Sequence, residues 1–151
     1  MTYKELIEET GAEIGLEGFT PDADGVCVIA SEIGEIAIMD CSEGGVETVL
    51  LNAAVSDVPS DADAALLEAL KANSGFTGTK GSTLSIDPET KRFELTRYEV
   101  LQDLNPDKLI AMIEDFATAL VDLRKRLDGN RPADSPREAS ELPDIENFMR
   151  V

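Results

Sequence analysis

Three consecutive strand-like segments carry apolar residues on both of their faces, and this pattern constrains the fold most. The segments are GVCVIAS (25–31), EIAIMD (35–40) and VETVLLNAAVS (46–56), joined at Gly34 and at SEGG. Such short connections predict an antiparallel meander. Strands of this kind must be covered on both faces, or they leave an apolar surface exposed. Either helices of the same chain cover both faces, or a second subunit or an extended ligand covers the remainder.

The flanking segments predict three helices and a hairpin. Thr2 and Glu5 form a capping box for the first helix, and Pro59 and Ser60 begin the second. STLSID (82–87) and KRFELTRYEV (91–100) alternate apolar and polar residues, as strands of a hairpin do. The last helix begins after Asn105, and its apolar positions recur at steps of three and four: Leu109, Ile113, Phe116, Leu120, Leu123 and Leu127. We therefore predict an α+β fold in the order α-β-β-β-α-β-β-α, with an antiparallel sheet packed against three helices.

The composition changes after Asp128. The segment 129–151 holds three of the seven prolines and few apolar residues. We predict a single domain over 1–128 and a disordered, acidic, proline-containing tail over 129–151. The tail has four apolar residues near its end that could dock on a surface: Leu142, Ile145, Phe148 and Met149.

Charge and composition exclude several classes of function. The net charge of −18 repels nucleic acid and anionic lipid, so neither is an expected partner. The chain has no histidine, which removes the usual general base and the commonest zinc ligand. Cys27 and Cys41 lie in apolar strand patterns and are expected to be buried free thiols. We expect no catalytic residues, no metal and no cofactor. No apolar run suggests a signal peptide or a membrane span, and a cytoplasmic protein fits best.

Two segments resemble ligand-binding loops and fail on inspection. NSGFTGTKGST (73–83) has the glycines and lysine of a phosphate-binding loop, but Gly81 separates Lys80 from Ser82, and the segment leads from a helix into a strand. Asp22, Asp24 and Gly25 match part of a calcium loop, but the chain lacks the Asp and Glu required at its first and last positions.

The order of elements and four segments resemble the class I type III secretion chaperones, the Tir chaperone family. The resemblance runs from about Leu6 to Leu127 and is carried by GVCVIA, LLNAAVSDVPSDADAALLEALKAN, GSTLSIDPETKRFEL and LNPDKLIAMIEDFATALVDLRKRL. It implies a homodimeric cytoplasmic chaperone that is not an enzyme and that holds the N-terminal segment of a secreted effector in extended form. In this comparison Gly78 and Gly81 shape the crossing from the second helix into the hairpin.

By analogy with this family we assign two surfaces. The dimer contact is expected on the second helix and the strand after it, at Leu66, Leu67, Leu70, Leu84 and Ile86. The effector surface is expected on the first helix and first strands, at Leu6, Ile7, Ile14, Val28, Ile36 and Ile38. Two other functions stay open at this stage. One is an acidic inhibitor or adaptor that binds a basic partner, and the other is a small-molecule binding domain.

Overall fold

A computed structural model describes residues 1–42 and 44–128, which form three helices and one five-stranded sheet. The elements are α1 (Tyr3–Glu13), β1 (Val26–Ser31), β2 (Gly34–Asp40), β3 (Thr48–Asp57), α2 (Asp63–Asn73), β4 (Thr83–Ile86), β5 (Arg92–Val100) and α3 (Pro106–Leu127). Their order is α-β-β-β-α-β-β-α, and the predicted fold class is confirmed. The predicted tail lies outside the described residues.

The capping residues explain where α1 and α3 begin. Thr2 and Glu5 form the predicted reciprocal capping box, in which each side chain accepts from the other residue's backbone N–H. The side chain of Asn105 accepts from the N–H of Lys108, and Pro106 occupies the first turn of α3. The prediction for α2 was wrong by a few residues, since α2 begins at Asp63 and has no side-chain cap.

The sheet is antiparallel throughout, in the order β1-β2-β3-β5-β4, so β1 and β4 are its edge strands. One face is buried and forms the core together with α1 and α3. The opposite face carries the alternate residues of each strand and is partly exposed, and we call it the open face. The helices of this chain therefore cover one face of β1–β3, although the sequence is apolar on both.

Arg124 ties the end of α3 to two parts of the sheet. Its guanidinium donates to the carbonyl of Val55 at 3.0 Å and to that of Ala54 at 2.8 Å. It also donates to the carbonyl of Ile33 in the turn between β1 and β2. The register of β3 against β5 shifts between Ala54 and Ser56, so Arg124 satisfies carbonyls at a β-bulge. These bonds place the C-terminal end of α3 beside the β1–β2 turn.

Candidate partner-binding surfaces

The six residues expected to contact an effector occupy different environments. Four of them are fully buried in the core of the monomer: Leu6, Ile7, Ile36 and Ile38. They present no surface to a partner, and their expected role is corrected to that of core residues. Ile14 is half-buried and packs against the core. Val28 is 49% exposed on the open face, and it is the one large exposed residue of the six.

Val28 belongs to an apolar area on the open face. The register aligns Val26, Met39, Leu50 and Tyr98 in one row across β1, β2, β3 and β5, and it pairs Val28 with Ala37 in the next row. Tyr98 is 63% exposed, whereas Leu50 is buried beneath its neighbours. We call this area the open-face strip: Val26, Val28, Ala37, Met39, Leu50 and Tyr98.

Polar residues border the strip. In the row of Val28, the amide of Asn52 donates to Glu94 and to Thr96, both at 3.3 Å. The row beyond it contains Glu35 and Glu94. A clustered apolar area with a polar border is typical of surfaces that bind another protein.

The outer edge of β1 offers backbone hydrogen-bonding groups. Gly25 accepts from the N–H of Asp40, which places Gly25 and Cys27 among the residues bonded to β2. The alternating residues Val26, Val28 and Ala30 therefore direct their N–H and C=O groups away from the sheet. Asp22 occupies these groups at Val26, because its carboxylate accepts from Val26 N–H at 2.9 Å and its own N–H donates to Val26 C=O at 2.9 Å.

The remaining part of this edge is open. Within the described part of the chain, no hydrogen bond outside the sheet satisfies the backbone of Val28 or Ala30. An edge with unpaired N–H and C=O groups is able to accept a further strand. The site is short, and Asp22 closes it at the end nearest Val26.

The surface expected to form a dimer is largely exposed. Leu67 is 54% exposed and Leu70 is 71% exposed on α2, while Leu66 and Ile86 are each a little over a third exposed. Leu84 differs, because it is buried and belongs to the core. The residues of α2 that face the core are small: Ala65, Ala69 and Ala72. The helix thus directs alanines inward and leaves its leucines on the outside.

The glycine-rich loop between α2 and β4 has a structural role. Asn73 donates to the carbonyl of Leu84 and accepts from its N–H, both at 2.8 Å, which fixes the start of β4 to the end of α2. A Cβ on Gly78 would lie 2.8 Å from the carbonyl oxygen of Ala72, and Gly81 has φ +85°. Both positions require glycine. The expectation that these two glycines shape the crossing is confirmed.

Cys27 lacks the environment of a reactive thiol. Cys27 and Cys41 are not joined by a disulfide. Cys27 is buried as predicted, and burial raises the pKa of its thiol to about 11, so it is protonated at neutral pH. Cys41 is half-buried, and the expectation of full burial was wrong there. The hydroxyl of Tyr3 beside Cys27 donates to the carbonyl of Ile38 at 2.9 Å, and burial raises the pKa of Tyr3 as well.

The described residues also bear on metal binding and on membrane insertion. Across residues 1–42 and 44–128, no three acidic or cysteine side chains are grouped so as to hold a metal ion. The carboxylate of Asp22, one of the partial calcium-loop residues, accepts from the backbone N–H of Asp24 and of Val26. None of the helices in the described part of the chain is long and apolar enough to cross a membrane.

Sequence reasoning missed two features of these surfaces. It did not identify Tyr98 and Met39 as members of an apolar row, because a row depends on the register between strands. It also did not identify Arg124 as a donor to backbone carbonyls of the sheet and of the β1–β2 turn. The exposure of Tyr98 could have been suspected from the alternation of β5, in which Phe93 and Leu95 define the opposite, buried face.

Comparisons with known proteins give consistent results. The model of the Tir chaperone protein (CesT) family matches residues 5–124. The structure of the HopA1–SchA chaperone–effector complex contains a chain with a TM-score of 0.67 and 15% identity, covering 82% of this chain and 93% of that one. The ExsC–ExsE complex contains one with a TM-score of 0.69 and 16% identity, covering 87% and 95%.

A third structure is that of the Yersinia pestis type III secretion chaperone SycH in complex with a stable fragment of YscM2. Its matching chain has a TM-score of 0.62 and 20% identity, and the alignment covers 83% of this chain and 99% of that one. At these identities the structures show a shared fold. A search of curated proteins gives no significant match.

Proposed function

This chain belongs to the Tir chaperone protein (CesT) family, and from that premise we propose that it holds the N-terminal segment of a secreted effector in extended form. The chain is a type III secretion chaperone and not an enzyme. In this role it works in the cytoplasm, keeps its effector soluble and leaves it competent for secretion.

The open edge of β1 is the observation that carries this proposal. Val28 and Ala30 direct unpaired N–H and C=O groups outward, so an extended effector segment adds there as a sixth strand. Main-chain hydrogen bonds of this kind bind a segment with little dependence on its sequence. Apolar side chains of the same segment then contact Val28 and its neighbours in the open-face strip, which provides selectivity.

Of the six residues first expected to contact the effector, Val28 stays in the proposed surface. The net charge of −18 supports the same role, because it keeps a chain with exposed apolar areas soluble. It also favours effector segments that carry basic residues beside their apolar anchors.

The proposed active form is a homodimer that contacts through α2. Four exposed apolar residues of α2 and β4 offer surface for a stable dimer: Leu66, Leu67, Leu70 and Ile86. Leu84 supports this surface from the core side. α2 packs against β4, at the opposite edge of the sheet from β1, so a twofold interface on α2 leaves both β1 edges open for effector.

A proline substitution at Ala30 tests the edge directly. Ala30→Pro removes the outward N–H without removing a hydrogen bond to β2, and proline is tolerated on edge strands. Ala30→Val is the matched control, since it retains the N–H and adds similar bulk. The ligand is the N-terminal segment of a candidate secreted effector, and affinity is measured by titration calorimetry.

We expect Ala30→Pro to weaken binding about tenfold or more, in line with the loss of one or more main-chain hydrogen bonds worth about 1 kcal/mol each. Ala30→Val should bind nearly as wild type does. Equal affinity of the two variants would contradict edge binding. Repeating the titration at higher salt tests the alternative of an acidic adaptor, because a mainly ionic complex would weaken strongly with salt.

A further inference from the structure

We propose that the apolar end of the chain's own tail, residues 142–149, docks on the open-face strip and competes with the effector. The competition with effector rests on the proposed function, since the strip adjoins the β1 edge assigned to the effector. Whether the tail docks on the strip does not depend on that function. The occupant is a segment of this chain that lies outside the described residues.

Apolar residues are concentrated near the end of the tail. Leu142, Ile145, Phe148 and Met149 lie within eight consecutive residues. Eight residues span up to about 26 Å when extended, so this segment is long enough to reach across the strip.

The strip is short enough for this segment to span it. Its first row, from Val26 to Tyr98, crosses four adjacent strands and is therefore about 14 Å long. Val28 and Ala37 lie one row further on, about 7 Å along the strands. The other face of the same sheet is already covered by helices, so the open face is the side of the sheet that is left for a further segment to cover.

The tail leaves the domain close enough to reach the strip. Arg124 bonds to the carbonyl of Ile33, so α3 ends beside the β1–β2 turn and next to the β1 edge. Val26 lies about 24 Å from that turn along β1, and passing around the edge of the sheet adds about 10 Å. The connecting residues 129–141 span up to about 43 Å when extended. The length of the tail therefore suffices.

Docking of this kind regulates effector binding. A tethered segment acts at an effective concentration of about a millimolar, so weak intrinsic affinity is enough for substantial occupancy. If the tail is docked nine-tenths of the time, one-tenth of the molecules are free, and effector affinity falls about tenfold. The tail and the effector then compete for the same apolar strip.

A single-tryptophan reporter tests docking without any effector. The chain contains no tryptophan, so Phe148→Trp introduces a unique fluorophore at the proposed contact. Ala133→Trp, in the connecting part of the tail, is the reference for a solvent-exposed position. We expect the emission of Phe148→Trp to be shifted to shorter wavelength than that of Ala133→Trp.

Substitutions on the strip then identify the docking surface. Val28→Asp and Tyr98→Asp change exposed residues, and circular dichroism verifies that both variants fold. Each should abolish the shift, whereas Ala54→Asp, which places the same charge on the open face outside the strip, should leave it intact. Emission equal to that of Ala133→Trp would overturn the proposal. A shift that survives both Asp substitutions, or that disappears on dilution because a second copy supplies the tail, would do the same.

The consequence for effector binding has a separate measurement. Ile145→Asp with Phe148→Asp should increase affinity for the effector segment about tenfold in the full chain. Unchanged affinity despite the fluorescence shift would overturn the competition. If the effector segment binds neither wild type nor this variant, the proposed function fails, and the reporter still decides whether the tail docks.

Discussion

Replacing two exposed leucines of α2 tests the proposed dimer. Leu67 and Leu70 are 54% and 71% exposed in the monomer, so an interface on α2 has more than half of each side chain left to bury. At about 2 kcal/mol for a fully buried leucine, the two contribute about 2.5 kcal/mol per subunit. A twofold interface doubles this to about 5 kcal/mol, which corresponds to about a 4,000-fold change in the dimer dissociation constant.

The double variant Leu67→Gln with Leu70→Gln removes this contribution and preserves folding. Glutamine is nearly as favourable in a helix as leucine, and neither side chain is part of the core. Light scattering at micromolar concentration should give about twice the 16.3 kDa chain mass for wild type and about 16.3 kDa for the variant. Lys71→Gln, on an exposed position of the same helix, is the control and should stay dimeric. A variant that remains a dimer, or a wild-type chain that is already monomeric, would refute this reasoning.

Four further predictions concern the stability of the domain. Leu6→Asp with Ile7→Asp should unfold or aggregate the chain, as seen by circular dichroism, because two carboxylates enter a fully buried site; a folded double variant would contradict the core assignment. Arg124→Met should lower the free energy of unfolding in urea by about 2–4 kcal/mol, because three backbone carbonyls lose a charged donor. The control Arg126→Met breaks only an ion pair with Glu68 and should lower it by less than about 1 kcal/mol. The pKa of the Cys27 thiol is about 8.5 in the unfolded chain and about 11 in the folded one, so the contribution of the buried thiol, about 3 kcal/mol, is present below about pH 8.5 and is lost as the pH rises through about 11. The free energy of unfolding measured from pH 8 to 11 should therefore decline less for Cys27→Ala than for wild type. Deleting 129–151 should change the melting temperature by only a few degrees, because docking nine-tenths of the time is worth about 1.4 kcal/mol.

The sequence by itself determined the elements and their order. Local signals suffice for this, because a cap such as Thr2 with Glu5, or Asn105 before Pro106, acts within a single helical turn. The stripe of α3 was equally clear, and all six of its predicted apolar residues are buried. Alternation in the hairpin also predicted which residues of β5 face the core, including Phe93 and Leu95. Family membership followed from the same order of elements.

Only the tertiary structure decided which faces of the elements are covered. β1, β2 and β3 are apolar on both sides, so their sequence carries no alternation that distinguishes inside from outside, and Ile38 and Val28 are equivalent until the strands are placed against helices. The same holds for α2, where packing space close to α3 and β4 admits alanine and leaves larger leucines outside. Strand register, set by contacts between residues distant in the chain, brings Val26 and Tyr98 into one row and leaves the backbone of Val28 and Ala30 open at the edge. Surfaces of this kind depend on long-range packing, which local sequence patterns do not encode.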